Sequence, residues 1–254
     1  MTPATDSALT HVRRWLHDAA RVAVLTGAGV SAESGVPTFR DAQTGLWANF
    51  RPEDLATEEA FRRDPQSVWD WYAGRRESLR AVQPNAGHLA LAAFEQRYPG
   101  RLTVITQNVD GLHQKAGSTG VLALHGNLFE DRWLGDCALA RRPQDACPPA
   151  AAAPGHPPRC PQCGNMLRPA VVWFGEMLPT HALQAAERAA QECDLMLVAG
   201  TSGQVYPAAG LAVQARHAGA KVVIINPHPT DLDDVAHAVL TGTSATLLPL
   251  LLEA

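Results

Sequence analysis

Residues 22–32 read Val22-Ala23-Val24-Leu25-Thr26-Gly27-Ala28-Gly29-Val30-Ser31-Ala32, and this stretch decides the class of fold. The run 22–26 is short, mostly apolar, rich in β-branched residues, and ends at a glycine. Such a run reads as a strand buried on both faces, the kind found in parallel sheets. Gly27 and Gly29 then make a tight turn that opens a helix. Similar runs recur at 102–106 (LTVIT), 195–200 (LMLVAG) and 221–226 (KVVIIN). Helical patterns lie between them, at 84–97 and over the alanine-rich 181–192 behind Thr180. Another helix is expected over 7–19, behind the capping pair Asp6-Ser7, with Leu9, Val12, Trp15, Leu16 and Ala19 on one face. Strands alternating with helices predict an α/β fold with a parallel sheet and right-handed crossovers.

In such sheets ligands bind beyond the carboxyl ends of the strands. The least ordinary residues of the chain stand at those ends: GAGVS at 27–31, TQNVDG at 106–111, AGTS at 199–202 and INP at 225–227. Two segments break the alternation. Residues 44–82 hold several Trp, Tyr and Arg residues and predict a helical insertion. Residues 130–168 hold four cysteines and a loop of low complexity, CPPAAAAPGHPPRC. The expected organisation is a sheet domain over 1–43, 83–129 and 169–254, with 44–82 and 130–168 forming a smaller domain beside it. The 254 residues are 46% hydrophobic and 18% charged, which suits a sizeable core and excludes disorder and collagen-like structure. A net charge of −4 offers no basic field to nucleic acid. No stretch approaches the ~18 apolar residues of a membrane helix, and residues 1–20 contain no apolar secretory core. A cytoplasmic monomer is expected, with neither nucleic acid nor membrane as partner.

Glycines at 27 and 29 let a backbone approach a pyrophosphate, whose charge would meet N–H groups at a helix N-terminus. Ala32 takes the third place of the G-x-G-x-x-G/A fingerprint. Taken alone, the turn also suits an unliganded βα connection. The acidic residue that dehydrogenases carry about 20 positions on is absent; the chain runs instead into Pro37-Thr38-Phe39-Arg40-Asp41. An ordinary nicotinamide dehydrogenase is a poor fit. Gln107, Asn108 and Asp110 crowd polar groups at a strand end, which costs desolvation unless they bind something or bond one another. Amides and a carboxylate suit ribose hydroxyls and a carboxamide; a hydrogen-bonded turn reads the same. His125-Gly126 follows the apolar Val121-Leu122-Ala123-Leu124. Its near-neutral pKa makes His125 the candidate general base, against the commoner case of a structural histidine.

These motifs together resemble the sirtuins, NAD-dependent protein-lysine deacylases. GAGVSAESGVPTFRD, TQNVDGLHQKAG, HG, VVWFGE, GTSGQVYPAA and IN occur in the order and spacing of that family, over roughly residues 10–250. The resemblance implies a Rossmann-like large domain and a small zinc-bearing one. It implies that Gly27, Ala28, Gly29, Phe39 and Arg40 line the NAD site. Gln107, Asn108 and Asp110 would hold the nicotinamide-ribose side, and Gly200, Thr201, Ser202, Asn226 and Ser244 the rest of the cofactor. Val172, Trp173, Phe174 and Gly175 would be the strand segment to which a substrate peptide adds. The implied reaction consumes NAD: the acyl oxygen attacks the ribose as nicotinamide leaves, and His125, with Asn108 as the other catalytic residue, acts as base toward a ribose hydroxyl. Unmodified lysine, nicotinamide and O-acyl-ADP-ribose result.

Tyr72 and Arg75 are three apart and share a face if helical. A core tyrosine and a solvated arginine would show the same spacing. In sirtuins that remove malonyl and succinyl groups, a Tyr-x-x-Arg pair grips the distal carboxylate, and a small residue such as Ala56 widens the pocket. The resemblance therefore implies desuccinylation and demalonylation, with deacetylation as a second activity. Sirtuins usually carry two C-x-x-C pairs, whereas here only Cys160 and Cys163 form one, and Trp133 stands near an expected cysteine. A structural zinc is expected on Cys137, Cys147, Cys160 and Cys163, with His156 in reserve; loss of the metal is the alternative. Cys193, beside a strand, reads as a small buried hydrophobe. Two other functions share these residues: ADP-ribosyl transfer, and a module that binds NAD or ADP-ribose without turning it over. A zinc-ribbon adaptor for nucleic acid is disfavoured by the charge.

Overall fold

The computed structural model describes residues 3–37, 55–136 and 155–253. The chain runs through α1 (Pro3–Asp18), β1 (Val22–Thr26), α2 (Gly29–Ala32), α3 (Glu58–Arg63), α4 (Pro65–Arg80) and α5 (Ala86–Arg97). Then follow β2 (Leu102–Thr106), α6 (Leu112–Lys115), β3 (Val121–Ala123), β4 (Gly126–Trp133), β5 (Leu167–Val171) and α7 (Thr180–Glu192). The last part is β6 (Leu195–Ala199), α8 (Gly210–His217), β7 (Lys221–Asn226), β8 (Ala238–Thr241) and α9 (Ser244–Leu252). Six strands form one parallel sheet in the order β3-β2-β1-β6-β7-β8, the Rossmann-like α/β arrangement expected. No helix among the described residues is long and apolar enough to cross a membrane.

Burial explains why the apolar runs are strands. Every residue of β1 and β6 is buried, and because successive side chains alternate they feed two separate cores. Val22, Val24, Leu195 and Leu197 pack with Leu9, Val12, Leu91, Phe94 and Leu248 of α1, α5 and α9. Ala23, Leu25, Met196 and Val198 pack with Ala186, Ala190, Leu211 and Ala215 of α7 and α8. With helices on both faces, these strands lose the polar alternation of a half-exposed one.

A third core joins Ala60 and Phe61 of α3, Val68 and Tyr72 of α4, Leu128 of β4, Val171 of β5, and Trp173. The described part of 44–82 thus packs on the antiparallel pair β4–β5. That pair runs from Gly126 opposite Val171 to Trp133 opposite Leu167, so the boundaries expected at 129/130 and 168/169 fall within its strands. Other expectations shift at the ends of elements. Helix α1 starts at Pro3, which puts Asp6 and Ser7 inside it rather than at its cap. Thr180 is the first residue of α7, whose N-cap is Pro179. The edge strands β3 and β8 are short and only partly buried, so their sequences carry a weak strand pattern.

Candidate active site

Because the six strands are parallel, their carboxyl ends share one edge of the sheet. The chain order reverses across β1, which has β2 on one side and β6 on the other, and such a switch point opens a crevice. The turns there are laced together through backbone bonds. Gly29 N–H donates to the Gly200 carbonyl at 2.8 Å, Gly27 N–H to Ala199 at 3.1 Å, and Gln107 N–H to Thr26 at 3.0 Å. Gly200 has φ +61, and a Cβ there would stand 2.3 Å from the Val30 nitrogen. Only glycine permits that approach.

Side chains complete the lattice. Gln107 Nε2 donates to Thr201 Oγ1 at 3.2 Å. Asn108 Nδ2 donates to the Gly27 carbonyl at 3.1 Å and to Ser31 Oγ at 3.2 Å. Ser31 Oγ donates to Asp110 Oδ2 at 2.7 Å, and Leu112 N–H to Asp110 Oδ1 at 2.9 Å. Asp110 is buried with one oxygen taken by Ser31 and the other by Leu112, so it orients the loop. Beneath lie Thr26, Thr106, His88 and His113, all buried. Thr26 Oγ1 bonds Thr106 Oγ1 at 2.8 Å and His113 Nε2 at 3.0 Å. Burial, helped by the neighbouring His88, pushes His113 down to about 3 and keeps it neutral.

His125 is half-buried just beyond β3, with Nδ1 2.8 Å from the Gln107 carbonyl oxygen. A carbonyl only accepts, so Nδ1 carries the proton and Nε2 is left with its lone pair. Burial pushes His125 below the ordinary histidine value, and the bond to Gln107 opposes that shift. The imidazole is a neutral base held by the same residue that touches Thr201.

The third core adjoins this edge. Tyr72 is buried on α4 and its hydroxyl accepts the Trp173 indole N–H at 2.9 Å. Arg75, a turn further on, lies with Cζ 4.9 Å from the centre of the Trp71 ring. The segment Val172–Gly175 departs from expectation: β5 ends at Val171, and the chain turns instead of continuing as a strand. Val172 N–H is taken by the His125 carbonyl at 2.8 Å and Phe174 N–H by Ala56 at 2.9 Å. Trp173 N–H is taken by Glu176 Oε2 at 2.9 Å. These amides tie β5 to the histidine loop and to Ala56. Trp173 is buried, whereas Phe174 is half exposed.

A Sir2 family profile matches residues 27–207. Over 252 residues the chain is 56% identical to an NAD-dependent protein deacylase of Ralstonia nicotianae, covering 99% of both proteins. The chain belongs to the Sir2 family. A Sir2 homologue mutant in complex with ADP-ribose superposes with a TM-score of 0.82 at 41% identity, over 96% of this chain and 94% of that one. A Sir2–p53 peptide–NAD+ complex superposes with a TM-score of 0.78 at 30% identity, over 96% and 97%.

Phe39, Arg40, Cys137 and Cys147 lie outside the described residues. Asn226 is half-buried at the end of β7, its Nδ2 donating to the His228 carbonyl at 2.7 Å. Ser244 begins α9, and its buried Oγ has no hydrogen-bond partner among the described residues. Cys160 and Cys163 share a tight turn in which Gly164 N–H donates to the Cys160 carbonyl at 2.9 Å. Among the described residues no three His, Cys, Asp or Glu side chains gather as for a metal. His156, the reserve ligand, instead places Nδ1 2.8 Å from Asp70 of α4. Cys193 is buried, and burial pushes its thiol up to about 11, as an inert hydrophobe requires. The sequence reading of the Sir2 site passed over Ser31, the hub between Asn108 and Asp110. Its signal was a hydroxyl inside a glycine turn that packs against a sheet.

Proposed function

We propose that this chain removes acyl groups from lysine side chains of proteins while consuming NAD, with succinyl and malonyl groups preferred and acetyl as a second substrate. Membership of the Sir2 family and relatives named NAD-dependent protein deacylase support the general activity. The acyl preference is carried by one observation: Tyr72 and Arg75 stand one turn apart on α4, Tyr72 buried and Arg75 with Cζ 4.9 Å from the centre of the Trp71 ring. A guanidinium and a phenol suit a terminal carboxylate. The donors at the sheet edge fit NAD, since Gln107, Asn226, Thr201 and Ser202 offer amides and hydroxyls while Asp110 is turned inward.

When bound, NAD supplies a ribose carbon whose bond to nicotinamide breaks as the acyl oxygen attacks. His125 Nε2 takes the proton of a ribose hydroxyl, and the Gln107 carbonyl steadies the imidazolium through Nδ1–H. Asn108, its Nδ2 tied to Gly27 and Ser31, keeps Oδ1 as its acceptor for the substrate. Ala56 leaves room for a longer acyl chain, and exposed Phe174 meets the peptide. A structural zinc on Cys137, Cys147, Cys160 and Cys163 belongs to the same reading; the Cys160–Cys163 turn supplies two of the four thiolates a tetrahedral site needs. The protein works as a cytoplasmic monomer.

The test is turnover of one peptide bearing succinyl-, malonyl-, glutaryl- or acetyl-lysine, with and without NAD, for wild type and Arg75→Met. The variant should lose about tenfold or more on the acidic acyl groups, the value of a charged hydrogen bond, and much less on acetyl. Equal losses on all four would make Arg75 merely structural. Nicotinamide release with the acyl group retained would mean ADP-ribosyl transfer, and NAD binding without release a non-catalytic module.

A further inference from the structure

The acyl preference above uses Tyr72 and Arg75 but leaves unexplained the network that holds Tyr72. Trp173 is buried and confined on several sides. Phe61 packs against its ring with centroids 5.3 Å apart, and the Arg168 guanidinium stacks on it with Cζ 3.2 Å from the centre. Arg168 is itself almost fully buried, donating to the Pro169 and Val171 carbonyls and paired with Glu176. Glu176 also receives Arg132 at 3.0 Å and the Trp173 backbone N–H at 2.9 Å. So held, the indole N–H meets the Tyr72 hydroxyl at 2.9 Å.

An indole nitrogen only donates. Its bond fills a lone pair of the Tyr72 oxygen and leaves the phenolic proton for a different acceptor. Among the described residues no acceptor takes that proton. Burial holds the phenol above its usual range, so the proton is present at neutral pH.

We propose that Trp173 is a specificity-determining positioning residue: its indole N–H commits the Tyr72 hydroxyl to donate, so that Tyr72 and Arg75 together present donors alone. Such a pair suits an acyl chain ending in a carboxylate and offers an acetyl methyl group no partner. Arg168 and Glu176 hold the indole at the angle this requires. The proposal rests on the acyl preference stated above and adds the residue that sets the polarity of the pair.

Trp173→Phe keeps a ring between Phe61 and Arg168 while deleting the N–H. The measurement is kcat/KM for succinyl- and acetyl-lysine forms of one peptide in wild type, Trp173→Phe, Tyr72→Phe and the double variant. Binding of the fluorescein-labelled succinyl peptide without NAD is read by anisotropy in parallel. The succinyl-to-acetyl ratio should fall about tenfold in Trp173→Phe, mainly through KM, with peptide affinity falling alike. In the Tyr72→Phe background the second substitution should change the ratio less than twofold. An unchanged ratio, or independent multiplying effects in the double variant, overturns the proposal. If Trp173→Phe does not fold, site-specific benzothienylalanine at 173, of the same outline without the N–H, gives the same reading. Wild-type protein that shows no preference for succinyl overturns the acyl assignment itself, before any variant is compared.

Discussion

The Nδ1–H of His125 donates to the Gln107 carbonyl at 2.8 Å, and that one bond settles which ring nitrogen is basic. Burial favours the neutral ring and lowers the pKa, so the basic form persists below pH 6.5. With His125 as the proposed base, the neutral imidazole is the active form, so activity is kept at higher pH and lost as pH falls through the lowered value. The acid limb of kcat/KM should therefore lie below pH 6.5, and a limb above it would contradict the assignment. His125→Ala should reduce deacylation by at least about 100-fold, the lower bound for a lost general base, while thermal unfolding shows the fold intact. Near-normal turnover would remove His125 from catalysis. His125, Asn108, Tyr72 and Arg75 stood out in the sequence as candidates because their residue types and their places in the motifs carry chemistry. The inward turn of Asp110 was not legible, because a carboxylate that binds a ribose and one that accepts Ser31 and Leu112 look alike in a string of letters.

At the scale of elements, the strands were the most legible part. Runs 22–26, 102–106 and 221–226 coincide with β1, β2 and β7, since burial on both faces leaves an uninterrupted apolar stretch. The turn at Val172–Gly175 was not legible, because Val172, Trp173 and Phe174 have strong strand propensity; two distant acceptors, His125 and Ala56, and the nearby Glu176 take their amides instead. The join between β3 and β4 explains why glycine follows His125. Gly126 has φ +82, and a Cβ there would lie 2.0 Å from the Ala170 carbonyl oxygen of β5. Gly126→Ala must push β4 off β5 and carry His125 with it. It should cost about 2 kcal/mol or more, as strained backbone positions do, with kcat falling together with Tm. An unchanged kcat would uncouple the hairpin from the histidine.

For the whole molecule, three cores divide the labour: two clamp the sheet, and the third packs α3 and α4 on β4–β5 beside its carboxyl edge. The parallel sheet followed from the strand–helix alternation, whereas its reversal at β1 did not, because alternation leaves the order of the strands open. The third core did not, because Phe61, Tyr72, Leu128 and Trp173 are far apart in the chain and share no periodicity. The proposed zinc would add a cross-link beside this core. The purified protein should contain about one zinc per chain, and a chelator or Cys160→Ser should lower Tm; metal content well below one would dismiss the site.

The most direct measurement follows NAD, nicotinamide and peptide together in a single reaction with a succinyl-lysine peptide. Nicotinamide and unmodified lysine should appear one for one, only when NAD and acyl peptide are both present, and with the acyl group recovered on ADP-ribose. Nicotinamide released without the peptide, or NAD bound and never cleaved, would contradict the account.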